Sequence, residues 1–272
     1  MNSHPIGFMD SGLGGLTVVK EAMKKLPHEN MVFLGDEARL PYGEKTAKQV
    51  QTFAKQIAKF QIKKGIKILV IACNTATAQA LPMLKRELNI PVIGVIEPGS
   101  EMAIRTTKNN QVGVIATNGT VKNGAYLRAI KKDDPNINLY SLGCPEFVQM
   151  VEHGHYSSND DQKKVSKDLK PIHKTHIDTL IMGCTHFPIM QNLIQKAVGK
   201  HIKLVDPGIA ITDVIVDVLS DYNLAVDPNN QPHRVFYTTG DVNNFDRIAS
   251  DWLKMPIHAQ HVNVKELEAL TK

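Results

Sequence analysis

Two stretches of the chain, Ile71-Ala72-Cys73-Asn74-Thr75 and Met182-Gly183-Cys184-Thr185-His186, share one order: apolar residues, a cysteine, then polar residues. They are not an isolated pair. Ile6-Gly7-Phe8-Met9-Asp10-Ser11-Gly12 lies over Val112-Gly113-Val114-Ile115-Ala116-Thr117-Asn118 at an offset of 106 residues, and Leu34-Gly35-Asp36 over Leu142-Gly143-Cys144 at 108. The cysteine pair follows at 111. Three ordered matches with so little drift predict two related halves.

Working outward, short apolar or β-branched runs alternate with longer segments of helical period, which is the rhythm of a parallel α/β sheet. Ile6–Met9, Met31–Leu34, Ile66–Ala72, Pro91–Val95, Val112–Ala116, Asn138–Leu142, Thr179–Met182 and Lys203–Val205 read as strands, and Leu16–Lys25 as a helix. From Thr46 to Lys64, Val50, Phe53, Ile57 and Phe60 recur every three or four residues, the stripe of an amphipathic helix that Gly65 ends. Parallel sheets carry ligands beyond the carboxyl ends of their strands, where Asp10, Cys73 and Cys184 all fall. The duplication therefore predicts two thiols approaching one cleft from opposite sides.

The 272 residues are 42% hydrophobic and 22% charged, ordinary globular values that set aside disorder and collagen-like repeats. The longest strongly apolar run, Ile68 to Cys73, is too short to span a bilayer. Residues 1–10 lack the pattern of a signal peptide, so a soluble cytoplasmic protein is expected. The net charge of +5 is spread along the chain. It suits an anionic small substrate as well as solubility, and does not point to nucleic acid. Three scattered cysteines argue against a disulfide framework, and without a Cys-x-x-Cys pair nothing suggests structural zinc.

Cys73 and Cys184 each follow a strand and precede polar residues expected to open a helix, a place that lowers a thiol pKa. Most free cysteines are small buried hydrophobes, yet the equivalence of these two favours chemistry. Two opposed thiols suit proton exchange at a tetrahedral carbon, one removing the α-proton and the other delivering one. Asp10-Ser11-Gly12-Leu13-Gly14-Gly15 reads either as a capped turn or as a carboxylate-holding turn at a helix N-terminus. Thr17 breaks the dinucleotide fingerprint, and the Gly-Glu-Lys-Thr at 43–46 lacks the upstream glycine of a phosphate loop. The stretch from Gly35 to Gly43 is either a substrate loop or a surface turn with Arg39 paired to a carboxylate. Glu152 and His186 are further proton-handling candidates. His153, His155, His173 and His176 read as solvated rather than metal-binding, and Cys144 as packing.

In these residues the sequence resembles the bacterial glutamate racemases of the cofactor-independent aspartate/glutamate racemase superfamily. The resemblance covers nearly the whole chain. It rests on Asp-Ser-Gly-Leu-Gly-Gly at 10–15, Pro-Tyr-Gly at 41–43, Ala-Cys-Asn-Thr-Ala-Thr-Ala at 72–78, Cys-Pro-Glu-Phe-Val at 144–148 with Glu152, and Gly-Cys-Thr-His-Phe-Pro at 183–188. It implies interconversion of L- and D-glutamate without pyridoxal phosphate or metal, supplying D-glutamate for peptidoglycan. Cys73 would deprotonate D-glutamate and Cys184 L-glutamate, Asp10 and His186 would assist their respective sides, and Glu152 would lie nearby. Asp10, Ser11, Pro41, Tyr42, Gly43, Asn74, Thr75, Thr185 and His186 match substrate-binding positions.

The implied fold is two pseudo-symmetric parallel-sheet α/β domains around a cleft, residues 1–97 plus 208–272 forming the first and 98–207 the second, in a chain that forms homodimers. Glu37 departs from the Thr or similar residue usual in the family's Gly-Asp-x-Ala-Arg motif. Three other readings stay open: a racemase for aspartate, a cysteine hydrolase using Cys184 with His186, and a non-catalytic ligand-binding protein.

Overall fold

The computed structural model describes residues 2–271. Its first part runs β1 (Ile6–Asp10), α1 (Leu16–Lys25), β2 (Met31–Gly35), α2 (Ala47–Lys63), β3 (Ile68–Ile71), α3 (Asn74–Glu87) and β4 (Val92–Gly94). After α4 (Ile96–Thr106) the pattern restarts with β5 (Gln111–Ala116), α5 (Asn118–Asn123), α6 (Ala125–Asp133), β6 (Asn138–Gly143), α7 (Pro145–Glu152) and α8 (Asn159–Asp168). It continues through β7 (Thr179–Gly183), α9 (Gln191–Val198) and β8 (Lys203–Val205). The chain closes with α10 (Pro207–Asp221), β9 (Arg234–Thr238), α11 (Val242–Leu253), β10 (Gln260–His261) and α12 (Val264–Ala269).

The strands form two all-parallel sheets, six strands in the order β10-β9-β2-β1-β3-β4 and four in the order β6-β5-β7-β8. The second order repeats the inner part of the first, β2-β1-β3-β4. The register repeats as well: Met9 stands beside Ile71 and Asp10 beside Gly35, while Ile115 stands beside Met182 and Ala116 beside Gly143. Each of these pairs joins residues that the sequence repeat aligns, so the duplication is structural to the residue. In both sheets the first strand of its half has its two successors on opposite sides, which opens a crevice at the carboxyl ends.

The strands β1, β2, β3 and β7 are buried along their whole length, because helices cover both faces of the sheets. That burial requires continuous apolar runs rather than alternation. The stripe expected from Thr46 onward is α2, capped by Thr46, whose side chain accepts from the Gln49 N–H, while Gln49 Oε1 accepts from the Thr46 N–H. Val50, Ala54, Ile57 and Phe60 pack it onto the sheet, and Gly65 ends it in the left-handed region at φ +77°.

Two strands escaped the sequence reading. The sequence reading places its last strand at Lys203–Val205, yet beyond α10 the chain adds β9 and β10, which extend the first sheet beyond β2. β10 is an exposed two-residue strand at the sheet edge, and β9 between it and β2 opens with the half-buried Arg234 and Val235, so neither shows the continuous buried run of a central strand. Among the described residues no helix is long and apolar enough to cross a membrane.

Candidate active site

The carboxyl ends of the two sheets face each other around a small cavity of about 20 Å³. The first half lines it with Ser11, Pro41, Tyr42, Gly43, Cys73, Asn74 and Thr75, and the second with Thr117, Val148, Cys184, Thr185 and His186. Both thiols of the repeat thus reach one space. Asp10 and Glu152 stand behind this lining and contact it through other side chains.

Cys73 is the N-cap of α3: its Sγ accepts from the Ala76 N–H at 3.4 Å and lies 3.7 Å from Ser11 Oγ. The expected lowering of its pKa does not appear. Burial, reinforced by the neighbouring Asp10 carboxyl, pushes the thiol up to about 12 and outweighs the bond from the helix N-terminus. Cys184 differs from expectation in another way, since no α-helix opens after it. A 3₁₀ turn at Phe187–Met190 intervenes before α9. What faces Cys184 instead is an imidazole. His186 Nδ1 is 3.6 Å from Cys184 Sγ, and His186 Nε2 is 2.6 Å from Glu152 Oε1. Burial opposes a charge on this ring, but the bonds to Cys184 and Glu152 prevail and raise its pKa well above the ordinary value. A protonated ring donates to the carboxylate through one nitrogen and offers the other N–H to the sulfur.

Asp10 is fully buried at the end of β1. Its Oδ2 accepts from the N–H groups of Gly12 and Gly15, at 3.2 and 3.0 Å, and Thr185 Oγ1 donates to Oδ1 at 3.3 Å. Burial raises this carboxyl to about 6 against the opposing pull of His186 and the turn amides. Asp10 therefore bonds across the cleft to the residue after Cys184, whereas its influence on Cys73 is that of a nearby charge. Gly14 is required for this approach. A Cβ there would lie 2.5 Å from Thr185 Oγ1 and 2.8 Å from His186 Nδ1.

In the stretch from Gly35 to Gly43, Arg39 is paired to a carboxylate, one of the two readings expected. Arg39 Nε donates to Asp36 Oδ2 at 2.7 Å, Thr239 Oγ1 donates to Asp36 Oδ1 at 2.9 Å, and the Tyr42 hydroxyl also donates to this carboxylate. Asp36 is fully buried, so the segment is anchored from beneath rather than a free surface turn. That anchor presents Pro41, Tyr42 and Gly43 to the cavity. Glu37 turns away to accept from Thr238, and burial, with Glu152 and Asp241 nearby, raises it to about 7.

Cys144 is buried among the apolar residues of the second half. His153, His155, His173 and His176 lie at exposed positions. No group of three or more potential metal ligands occurs among the described residues. The reading by sequence missed Thr117, Thr120 and Val148. Thr75 Oγ1 is 2.9 Å from Thr117 Oγ1 and 3.1 Å from Thr120 Oγ1, a hydroxyl cluster that crosses between the halves. Signals existed for two of them, because the repeat sets Thr117 opposite Ser11 and Val148 closes the Cys-Pro-Glu-Phe-Val motif at 144–148.

The model of the Asp/Glu/Hydantoin racemase family matches residues 16–215. The chain belongs to this family. It is 48% identical to the glutamate racemase of Lactiplantibacillus plantarum over 97% of both chains. Among solved structures it is similar to a glutamate racemase isoform from Bacillus anthracis, with TM-score 0.94 and 36% identity, covering 97% of this chain and 99% of that one. It is also similar to the glutamate racemase from Francisella tularensis solved in complex with D-glutamate, with TM-score 0.90 and 36% identity, covering 99% and 100%. The resemblance expected from the motifs thus extends over nearly the whole chain and its fold.

Proposed function

We propose that this chain interconverts L- and D-glutamate by moving the α-proton between Cys73 and Cys184. The observation that carries this reading is the convergence of two repeat-equivalent strand-end thiols on one cavity from opposite halves. From L-glutamate, the Cys184 thiolate takes the α-proton and becomes a thiol, leaving a carbanion. The Cys73 thiol then gives its proton to the opposite face and becomes a thiolate. The product is D-glutamate, and exchange with solvent resets the two sulfurs. His186, held by Glu152, supports the first thiol, and Ser11 with Asp10 surrounds the second.

Neither pyridoxal phosphate nor a metal enters this scheme. Hydroxyls, amides and backbone groups from Ser11, Pro41 to Gly43, Asn74, Thr75, Thr117 and Thr185 would hold the carboxylates and the ammonium. A cavity of about 20 Å³ has room for roughly one water, so the walls must part to admit glutamate. Movement of residues 98–207 against 1–97 with 208–272, as two domains, would do this. The family resemblance supports extending the reading to D-glutamate supply for peptidoglycan in the cytoplasm, by a homodimer. Substrate choice follows the glutamate racemases that the chain matches, in preference to aspartate.

One observation favours a second reading. The Cys184–His186–Glu152 series has the order of a nucleophile, base and orienting group, as in cysteine hydrolases. That reading leaves Cys73 without a task, and an acyl-enzyme trapped on Cys184 would support it.

The test of the two-thiol scheme is isotopic. With L-glutamate in deuterated water, the first D-glutamate formed should carry solvent deuterium at its α-carbon while the remaining L-glutamate carries little. Substantial retention of the original α-hydrogen in D-glutamate, by mass spectrometry at early conversion, would sink the scheme.

A further inference from the structure

The residue that follows each thiol is held from the opposite half of the molecule. Thr185, after Cys184, donates across the cleft to Asp10. Asn74, after Cys73, is met by Tyr126 from α6, whose hydroxyl donates to Asn74 Oδ1 at 2.6 Å. Neither family motif nor repeat singles out Tyr126. Its side chain is 3% exposed, and its ring lies against the backbone just before Cys184: a Cβ on Gly183 would stand 3.1 Å from Tyr126 Cε2. A tyrosine thus spans from the strand end that carries one thiol to the residue beside the other. Burial, with Asp206 and Cys184 nearby, raises its pKa well above the ordinary value, so the hydroxyl stays a donor.

An asparagine amide has an accepting oxygen on one side and two N–H donors on the other. Held by its oxygen, Asn74 turns Nδ2 away from Tyr126. Asn74 lines the cavity, and its Nδ2 has no protein partner among the described residues. Freed from the phenol, the same amide could turn over and present an oxygen to an incoming carboxylate, where both groups are acceptors.

We infer that Tyr126 is a positioning residue for glutamate racemisation, fixing the Asn74 amide so that its N–H groups face the cavity and donate to a substrate carboxylate. This rests on the functional reading above. It assigns Tyr126 to substrate binding through Asn74, and not to proton transfer.

The test is Tyr126→Phe, alone and combined with Asn74→Ala, with kcat and KM measured for both enantiomers. A charge-assisted hydrogen bond is worth enough that KM should rise about ten-fold in Tyr126→Phe while kcat stays within about three-fold. On the Asn74→Ala background the same change should add less than about two-fold. A KM within two-fold of wild type, or a full ten-fold loss repeated on Asn74→Ala, would overturn the assignment. So would a fall in thermal stability with KM unmoved.

Should Tyr126→Phe not fold, Asn74→Ala decides: an unchanged KM there overturns the proposal, and a ten-fold or greater rise supports its binding half. The orientation half is read without substrate by selective ¹⁵N-asparagine labelling, with Asn74→Ala used to assign the side-chain signal. Tyr126→Phe should shift or broaden the Asn74 amide pair, and an unchanged pair overturns the proposal. Asn74→Asp keeps an acceptor for Tyr126 but loses the donors, so its KM should rise at least as much as that of Tyr126→Phe; a smaller rise also overturns it. Wild-type protein that fails to racemise glutamate would instead overturn the functional reading, while the amide signal still tests Tyr126.

Discussion

The two thiols occupy equivalent places in a duplicated fold, yet their surroundings differ. Cys73 caps an α-helix, faces the Ser11 hydroxyl, and is pushed toward the protonated form by burial and by Asp10. Cys184 has no helix behind it but looks onto a buried imidazole clamped by Glu152. The repeat therefore supplied the geometry of two opposed sulfurs, and each half then solved the charge problem in its own way. One sulfur is poised to give a proton and the other is placed beside a cation. Under the proposed scheme, which adds a proton on one face while removing one on the other, a Cys73 held in its protonated form suits turnover in one direction.

This comparison makes its largest prediction at the sulfurs. Cys73→Ala and Cys184→Ala should each lower racemisation by at least about 10³-fold, since general acid and base steps contribute up to about 10⁴. Circular dichroism should show both variants folded. Activity above a tenth of wild type in either one would mean that its thiol is not part of a pair. Enantiomers have equal free energy in water, so kcat/KM must fall equally in both directions for any variant. The difference between the two sides will appear in kcat and KM taken separately.

Next is Gly14→Ala, which presses a methyl group into Thr185 and His186 while leaving Cys73 untouched. A displacement of that size at the reacting groups should cost about 10²-fold in kcat/KM, with a melting temperature lowered by only a few degrees. Near-normal turnover would show that the imidazole does not need its observed place.

A pH profile sharpens the comparison further. Asp10 titrates near 6, raised mainly by burial, so above that pH it is an anion facing Thr185 and His186, and below it the charge is lost. The kcat/KM of the wild type should rise with pH through about 6. Asp10→Asn should remove this acid limb and lower the plateau by about ten-fold or more. Persistence of the limb in Asp10→Asn would assign it to another group.

The smallest effect is expected at the third thiol. Cys144 stands opposite Asp36 in the repeat but packs in the apolar core of the second half. Cys144→Ala should keep at least half of the activity and cost about 1 kcal/mol in denaturant unfolding. A folded, inactive Cys144→Ala would break the assignment of the catalytic pair.

Much of this arrangement was legible along the chain. The continuous apolar runs at β1, β3, β5 and β7, the stripe of α2 with its Thr46 cap, and the alignment of Cys73 with Cys184 are local patterns. Burial on both faces of a parallel sheet and the period of a helix impose them wherever they occur. By itself the sequence determined that two strand-end thiols would meet, because a duplicated sheet order brings equivalent strand ends to equivalent places.

It did not determine what either sulfur would meet there. His186 finds Glu152 from 34 residues away, Thr185 finds Asp10 from 175, and Asn74 finds Tyr126 from 52. The elevated pKa of Cys73, the anchoring of Tyr42 by a fully buried Asp36, and the strands β9 and β10 likewise emerged only from packing. The physical reason is one of range. Backbone preference and hydrophobic period act over a few residues and are written consecutively, whereas the desolvation of a thiol and the partner of an imidazole depend on which surfaces the fold presses together.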